Sequence, residues 1–335
     1  MEQRTRGVLA WLWGRDAACG RSRLVATAAI ASALALAPAG CAAGPDDDHG
    51  HSHERGTQPD GQASQWRMAG PREMRTLFSP LDLPTPTEAR LASGVPGPAY
   101  WQNRADMTID VRLDTEERRV SASQVIAYTN NSPHELDYIW LHLEQNLFNS
   151  TSRGARMAKP EDRFGFTEGF EGGFEIEKVS VGVGREDIAS AIRVHDTLGR
   201  IDLPEPLRSG ETATIRLTWA FNIPPYGADR MGIEEVEQGT IFQIAQWFPT
   251  PVKYDDVHGW DTMPYLGTGE FYTEFGEYRV NITVPAGFTV GATGELLNSD
   301  EVLTPAQIER LDRASRTQET IFIIEPGEVK ANAAR

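Results

Sequence analysis

The sequence predicts a mainly β protein: an antiparallel β-sandwich with a disordered N-terminal tether and one short helix. Three observations carry this. Apolar and polar residues alternate through several segments between Asp106 and Glu325, the period of half-buried strands. Turn signals such as Asn130-Asn131-Ser132-Pro133, Ser209-Gly210 and Pro285-Ala286-Gly287 separate those segments. Only TPAQIERLDRAS has convincing helical spacing, with Thr304 placed to cap and Pro305 at the first helical position.

Taken in order, the chain opens with a leader over residues 1–40. Arg4, Arg6, Arg15, Arg21 and Arg23 form a basic region, and Leu24 to Pro38 is apolar. That run has the length of a leader's apolar core and is short for a membrane span. PAGC, ending at Cys41, resembles a bacterial lipobox with Cys41 as the lipidated residue, although Pro38 stands where Leu is usual. Ala37-Pro38-Ala39 offers an ordinary cleavage site instead, and an uncleaved N-terminal anchor is the third alternative. Either form of export implies a cell-envelope lipoprotein, periplasmic or on the outer surface, or a secreted protein. Membrane attachment would then come through the lipid anchor only.

Residues 41–70 form an acidic, His-rich tether with almost nothing apolar. His49, His51 and His53 are weak metal candidates, against a solvated linker in which they hold nothing; flexible spacing supplies no fixed ligand geometry. Residues 71–99 are a Pro-rich lead-in, expected to wrap over the folded body because Leu77, Phe78, Leu81 and Leu83 favour burial. From residue 100 to 330 the strands follow: MTIDVRL, VIAYTNNSPHELDYIWLHL as strand-turn-strand, FEIEKVSV, ATIRLTWAF, TIFQIA, YRVNITV and TIFIIE.

Composition excludes several classes. A formal charge of −16 excludes a nucleic-acid surface and argues against charge-driven binding to anionic lipid. Of the two cysteines, Cys19 lies in the leader and Cys41 at the tether, so neither a disulfide framework nor a Cys/His site is available. G-x-S-x-G, P-loop and G-x-G-x-x-G elements are missing. HEL at His134–Leu136 begins like H-E-x-x-H, but Tyr138 occupies the second His position.

Three stretches nevertheless carry a resemblance: PGPAYWQNRADMTIDVRL, YTNNSPHELDYIWLHLEQNLF, and FQIAQWFPTPVKYDDVHGWDTMPYLGTGEFYTEFGEYRVNITVPAGF with its following TVGATGEL. Together they resemble the N-terminal domain of bacterial gluzincin-type zinc aminopeptidases, peptidase family M1, over roughly Pro96 to Glu325. The resemblance implies that the β domain is a sandwich or saddle-like, and it implies a thermolysin-like catalytic domain, joined or as a separate chain, that binds zinc and takes peptide substrates. H-E-x-x-H and the amine-binding G-x-M-E-N loop are not in this chain; RMGIEE at Arg230–Glu235 only echoes the loop. The chain therefore reads as incomplete at its C-terminus and inactive alone, without a cofactor of its own; zinc is expected only in the missing catalytic domain.

The resemblance also implies substrate-cleft candidates at Gln243 and Gln246, against interior or edge glutamines; Glu270 joins them as a candidate through a carboxylate cluster with Asp255 and Asp256, against a solvated loop. Trp247, Phe248 and Trp260 are expected as core or interface aromatics. The alternative function is a stand-alone β-sandwich lipoprotein binding peptide or carbohydrate, which requires a solvent groove lined by Trp101, Trp140, Trp219 or Trp260. A metal-buffering lipoprotein using the His-rich tether is a third reading. An open edge at TIFIIE is expected to need a partner.

Overall fold

The computed structural model describes residues 2–6, 8–14, 86–158, 169–184, 187–225, 228, 230–237, 239–325 and 327–328. Cys41, the histidines of the tether and the apolar residues of the lead-in before residue 86 lie outside these.

The chain is mainly β. In order, the strands are β1 (Glu2–Arg6), β2 (Val8–Gly14), β3 (Arg104–Asp114), β4 (Arg119–Thr129), β5 (Leu136–His142), β6 (Glu175–Val183), β7 (Ile188–Ala189), β8 (Ile192–His195), β9 (Leu198–Leu207), β10 (Thr212–Asn222), β11 (Gly232–Val236), β12 (Gly239–Gln243), β13 (Thr250–Pro251), β14 (Tyr254–Asp255), β15 (Gly259–Trp260), β16 (Tyr278–Pro285) and β17 (Thr289–Thr293). A 3-10 helix spans Glu144–Phe148, and the α-helices are α1 (Arg153–Met157), α2 (Ser299–Val302) and α3 (Pro305–Ala314). No described helix is long and apolar enough to cross a membrane.

The largest sheet has the order β1-β16-β3-β4-β10-β6-β7. Alternation places Met107, Ile109, Val111 and Leu113 of β3, Ile126 and Tyr128 of β4, and Ile215, Leu217, Trp219 and Phe221 of β10 on the buried side. A second sheet, β13-β5-β9-β8, contributes Leu136, Ile139, Leu141 and Ile201 to the same core. The third sheet has the order β11-β12-β2-β17.

The predicted Asn-Asn-Ser-Pro turn is present and tied down. The Asn130 side-chain amide donates to the His134 and Leu207 carbonyls at 2.7 and 2.9 Å, and Asn103 accepts the Asn131 and Ser132 N–H groups. Helix α3 starts as predicted, with a capping box in which Thr304 and Gln307 satisfy each other's backbone N–H.

Three expectations need correction. The large sheet is not wholly antiparallel, because β16 runs parallel to β3. The chain enters that register by a close approach at Gly276, where a Cβ would sit 1.8 Å from the Ala105 carbonyl oxygen. TIFIIE is not a strand. Ile323 and Ile324 instead line an apolar groove of about 730 Å³ with Val290, Ile308 and Leu311, and Arg310 binds Glu325 and Glu328 at 2.9 and 2.6 Å. Hydrophobic burial and ion pairing thus hold this segment beside α3 rather than in a ladder. Finally, the 3-10 helix, α1 and α2 accompany the single helix read from sequence; each is one turn or little more, too short to show a periodicity.

Candidate functional site

The site is built on the crossing that leaves β12, residues Ile244–Asp256. Two apolar anchors set its path. Ile244 is buried in the core, and Trp247 packs on Phe248 with ring centroids 4.8 Å apart and on Trp219 at 6.1 Å. Gln124, buried in β4, spans the two: its amide donates to the Pro249 carbonyl at 2.8 Å while its oxygen accepts the Trp219 indole N–H at 2.9 Å. Pro251 then lies in β13, at the edge of its sheet, where a missing N–H is tolerated.

Between these anchors the backbone turns through Gln246, at φ 49°, the left-handed region that non-glycine residues rarely adopt. Gln145 of the 3-10 helix holds the turn. Its buried amide donates to the Ala245 and Gln246 carbonyls, both at 3.0 Å, and to the Met231 sulfur at 2.8 Å. The Gln246 amide donates to the Tyr265 hydroxyl at 3.3 Å. Gln243, half-buried, closes β12 opposite Gly232. RMGIEE, which echoes an amine-binding loop, forms β11 and the turn before it, and Met231 is buried.

Below the turn lies a buried ion pair. Lys253 Nζ donates to Glu274 Oε2 at 2.6 Å, with the two side chains 5% and 0% exposed. Glu274 Oε1 accepts the Tyr254 N–H at 3.1 Å. Burial still pushes the Glu274 carboxyl up, against the opposing pull of Lys253. His142 is buried nearby with a hydrogen bond to the Tyr272 backbone, and burial pushes its imidazole down to about 4. Glu144, at the start of the 3-10 helix, is buried without a cationic partner, and burial raises its carboxyl to about 8.

Asp255 and Asp256 are committed to structure. Arg90 donates twice to Asp256, at 2.9 and 2.7 Å, and this hydrogen bonding holds the Asp256 carboxyl below its usual range. Asp255 accepts the Val257 and His258 N–H groups and the Tyr272 hydroxyl; burial first, then Asp255, pushes that phenol up to about 12. Glu270 is exposed on the loop before Phe271. Among the described residues no cluster of three or more His, Cys, Asp and Glu could hold a metal ion.

The aromatics divide in two. Trp219 and Trp247 are core residues at 0% and 3% exposure, and Phe248 packs against them. Trp101 stacks on Tyr254 at 5.6 Å, and Trp260 packs on Tyr254, Tyr128 and Tyr138. Trp140 is elsewhere, beside His195. With Trp219 in the core, the four tryptophans do not line one groove.

The sequence brought Gln243, Gln246 and the Tyr254-Asp255-Asp256 loop to notice. It did not single out Gln145, Tyr265, Lys253, Glu274, Glu144 or His142. The one local signal was LHLEQNLF, where Glu144 and Gln145 interrupt an apolar run.

Neither protein-family models nor curated proteins give a match to the chain. Among solved structures, the chain is similar to an M1 zinc metallopeptidase from Deinococcus radiodurans at 14% identity, with a TM-score of 0.29 over 57% of this chain. It is likewise similar to two-domain M1 zinc metallopeptidase mutants bound to L-tryptophan and to L-arginine, at 15% and 16% identity over 58% and 57% of this chain, each with a TM-score of 0.29. The chain spans 35% of the length of each of these proteins. The structural neighbours are thus M1 zinc metallopeptidases, matched weakly and in part.

Proposed function

We propose that the chain is a non-catalytic N-terminal domain of a secreted zinc metallo-aminopeptidase, which supports a thermolysin-like catalytic domain and walls its substrate cleft. The observation that supports this most is the Gln246 turn: a strained backbone, pinned by a buried Gln145, within the stretch that resembles that family most closely. Strain of this kind persists only where surrounding structure enforces it, and it concentrates at functional sites.

The chemistry of the turn suits recognition rather than bond cleavage. Tyr265 takes the Gln246 amide as a donor, which orients the remaining carbonyl oxygen as an acceptor for a peptide's N-terminal ammonium. On this reading the hydrolytic step belongs to the partner domain, which would supply the zinc-activated water.

The test has two arms. The chain alone, with zinc added, is assayed on aminoacyl nitroanilides; turnover at one zinc per chain would sink the proposal. Combined with a thermolysin-like domain, wild type should support hydrolysis and Gln246→Ala should raise KM with little effect on kcat, as expected for lost ground-state binding.

A further inference from the structure

Arg230 and Gln246 both carry a left-handed backbone, at φ 51° and 49°, and one side chain ties their turns together. The Gln145 amide reaches the Met231 sulfur on one side and the Ala245 and Gln246 carbonyls on the other. The turn that carries Arg230 is also clamped at its base. Ala228 and Met231 are buried, they pair as an antiparallel bridge, and the Met231 N–H donates to the Ala228 carbonyl at 3.0 Å. Backbone held in this region by its surroundings concentrates where a side chain has to be aimed.

The group presented here is a cation. The Arg230 side chain is exposed and makes no ion pair among the described residues; its guanidinium lies 5.9 Å from the centre of the Phe271 ring. Phe271 packs on Tyr265 at 5.0 Å, and Tyr265 accepts the Gln246 amide. Two rings thus connect a guanidinium to a glutamine, with apolar surface between two polar ends. A guanidinium set over a ring keeps its forked N–H donors free for a carboxylate. Arg90, Arg104 and Arg310, by contrast, already hold carboxylates of their own chain.

We propose that Arg230 is a specificity residue that selects peptides whose first residue is Asp or Glu. Arg230 takes the side-chain carboxylate, Gln246 takes the N-terminal ammonium, and Phe271 and Tyr265 carry the methylenes between. This inference rests on the reading of Gln246 as the ammonium acceptor and adds the class of peptide to it. A chain with a formal charge of −16 repels such peptides at long range, so the selection has to be local, and Arg230 is the local cation.

The experiment titrates the full chain calorimetrically, at low salt, with three peptide amides: Glu-Ala-Ala, Gln-Ala-Ala and N-acetyl-Glu-Ala-Ala. The C-terminal amide removes the other carboxylate. Wild type should bind the Glu peptide about two- to fivefold more tightly than the Gln peptide, the size of a partly exposed charge pair. Added salt should shrink that margin. Arg230→Gln should bring the two affinities together, and Arg230→Lys should keep part of the margin. Gln246→Ala should weaken both free-amine peptides by a similar factor, and acetylation should abolish binding.

Equal binding of the Glu and Gln peptides to wild type would overturn the role of Arg230 and leave the ammonium reading standing. A margin undiminished in Arg230→Gln would overturn it too, because another cation would then carry the selection. No margin in Arg230→Lys, with both peptides weakened, would assign the effect to a disturbed turn and remove the selective role. Acetylated peptide binding as tightly as its parent, or no peptide binding at all, would sink the Gln246 reading and this inference with it.

Discussion

Glu144 and His142 should give this protein a stability profile with two opposed limbs. Burial raises the Glu144 carboxyl from 4.5 to about 8, so the folded state holds a proton that the unfolded state releases. Its contribution is complete below pH 4.5 and is lost as pH rises toward 8. Burial lowers His142 from 6.5 to about 4, so the unfolded state takes up a proton that the folded state refuses. That contribution is complete above pH 6.5 and is lost as pH falls toward 4. One proton of difference is worth about 1.4 kcal/mol per pH unit. Between pH 4.5 and 6.5 the two slopes largely cancel; above 6.5 only the Glu144 limb remains, a loss of about 2 kcal/mol by pH 8. Glu144→Gln mimics the protonated acid and should abolish that loss, while uncovering the rising His142 limb below pH 6.5. Urea unfolding followed by tryptophan fluorescence, at half-unit steps from pH 4.5 to 8.5, measures the difference between wild type and variant. Equal decline of both proteins above pH 6.5 would refute the assignment to Glu144, whatever Glu274 adds to the two curves alike.

Other outcomes follow from the same geometry. Glu274→Gln strands a buried ammonium and should cost about 3–5 kcal/mol, whereas Lys253→Met with Glu274→Leu should recover most of it; denaturant midpoints of the two variants compare them. Gln246→Gly should leave stability unchanged or slightly raised, because glycine accepts φ 49°, while Gln246→Val should lose about 1–2 kcal/mol in the same assay. Arg90→Ala should release residues 86–100 from Asp256, seen as faster proteolytic cutting there with the thermal midpoint of the β core unchanged. If the lipobox is used, radiolabelled palmitate should be incorporated in a bacterial host and lost in Cys41→Ala; equal labelling would exclude that residue.

The legible part of the fold was what local chemistry writes into the chain. Period-two alternation marked β3, β4 and β10 because each buries one face, and Thr304 and Pro305 marked the start of α3 because capping is local. Pairing direction leaves no such trace: YRVNITV has one pattern whether it runs parallel or antiparallel to β3. TIFIIE misled because Ile323 and Ile324 favour burial in a strand or a groove equally, and only Arg310 and its carboxylates decide. The site was legible in its exposed half. Gln246 sits in a conspicuous motif, but the Gln145 that holds it is 101 residues away, and Glu274 is 21 residues from Lys253. Such couplings are properties of the assembled molecule.

The parallel seat of β16 has a consequence for synthesis. The chain emerges from the ribosome in order, and β3, β4, β6 and β10 are complete once Asn222 is out. These strands can pair with one another at once. β3 must then wait, one flank open, until Tyr278–Pro285 arrives to lie alongside it. Pairings between distant parts of a chain are slow to form, and a waiting edge is exposed to other chains. The interval between β10 and β16 is therefore when this protein is most vulnerable to misassembly, and when a holding chaperone would do it the most good.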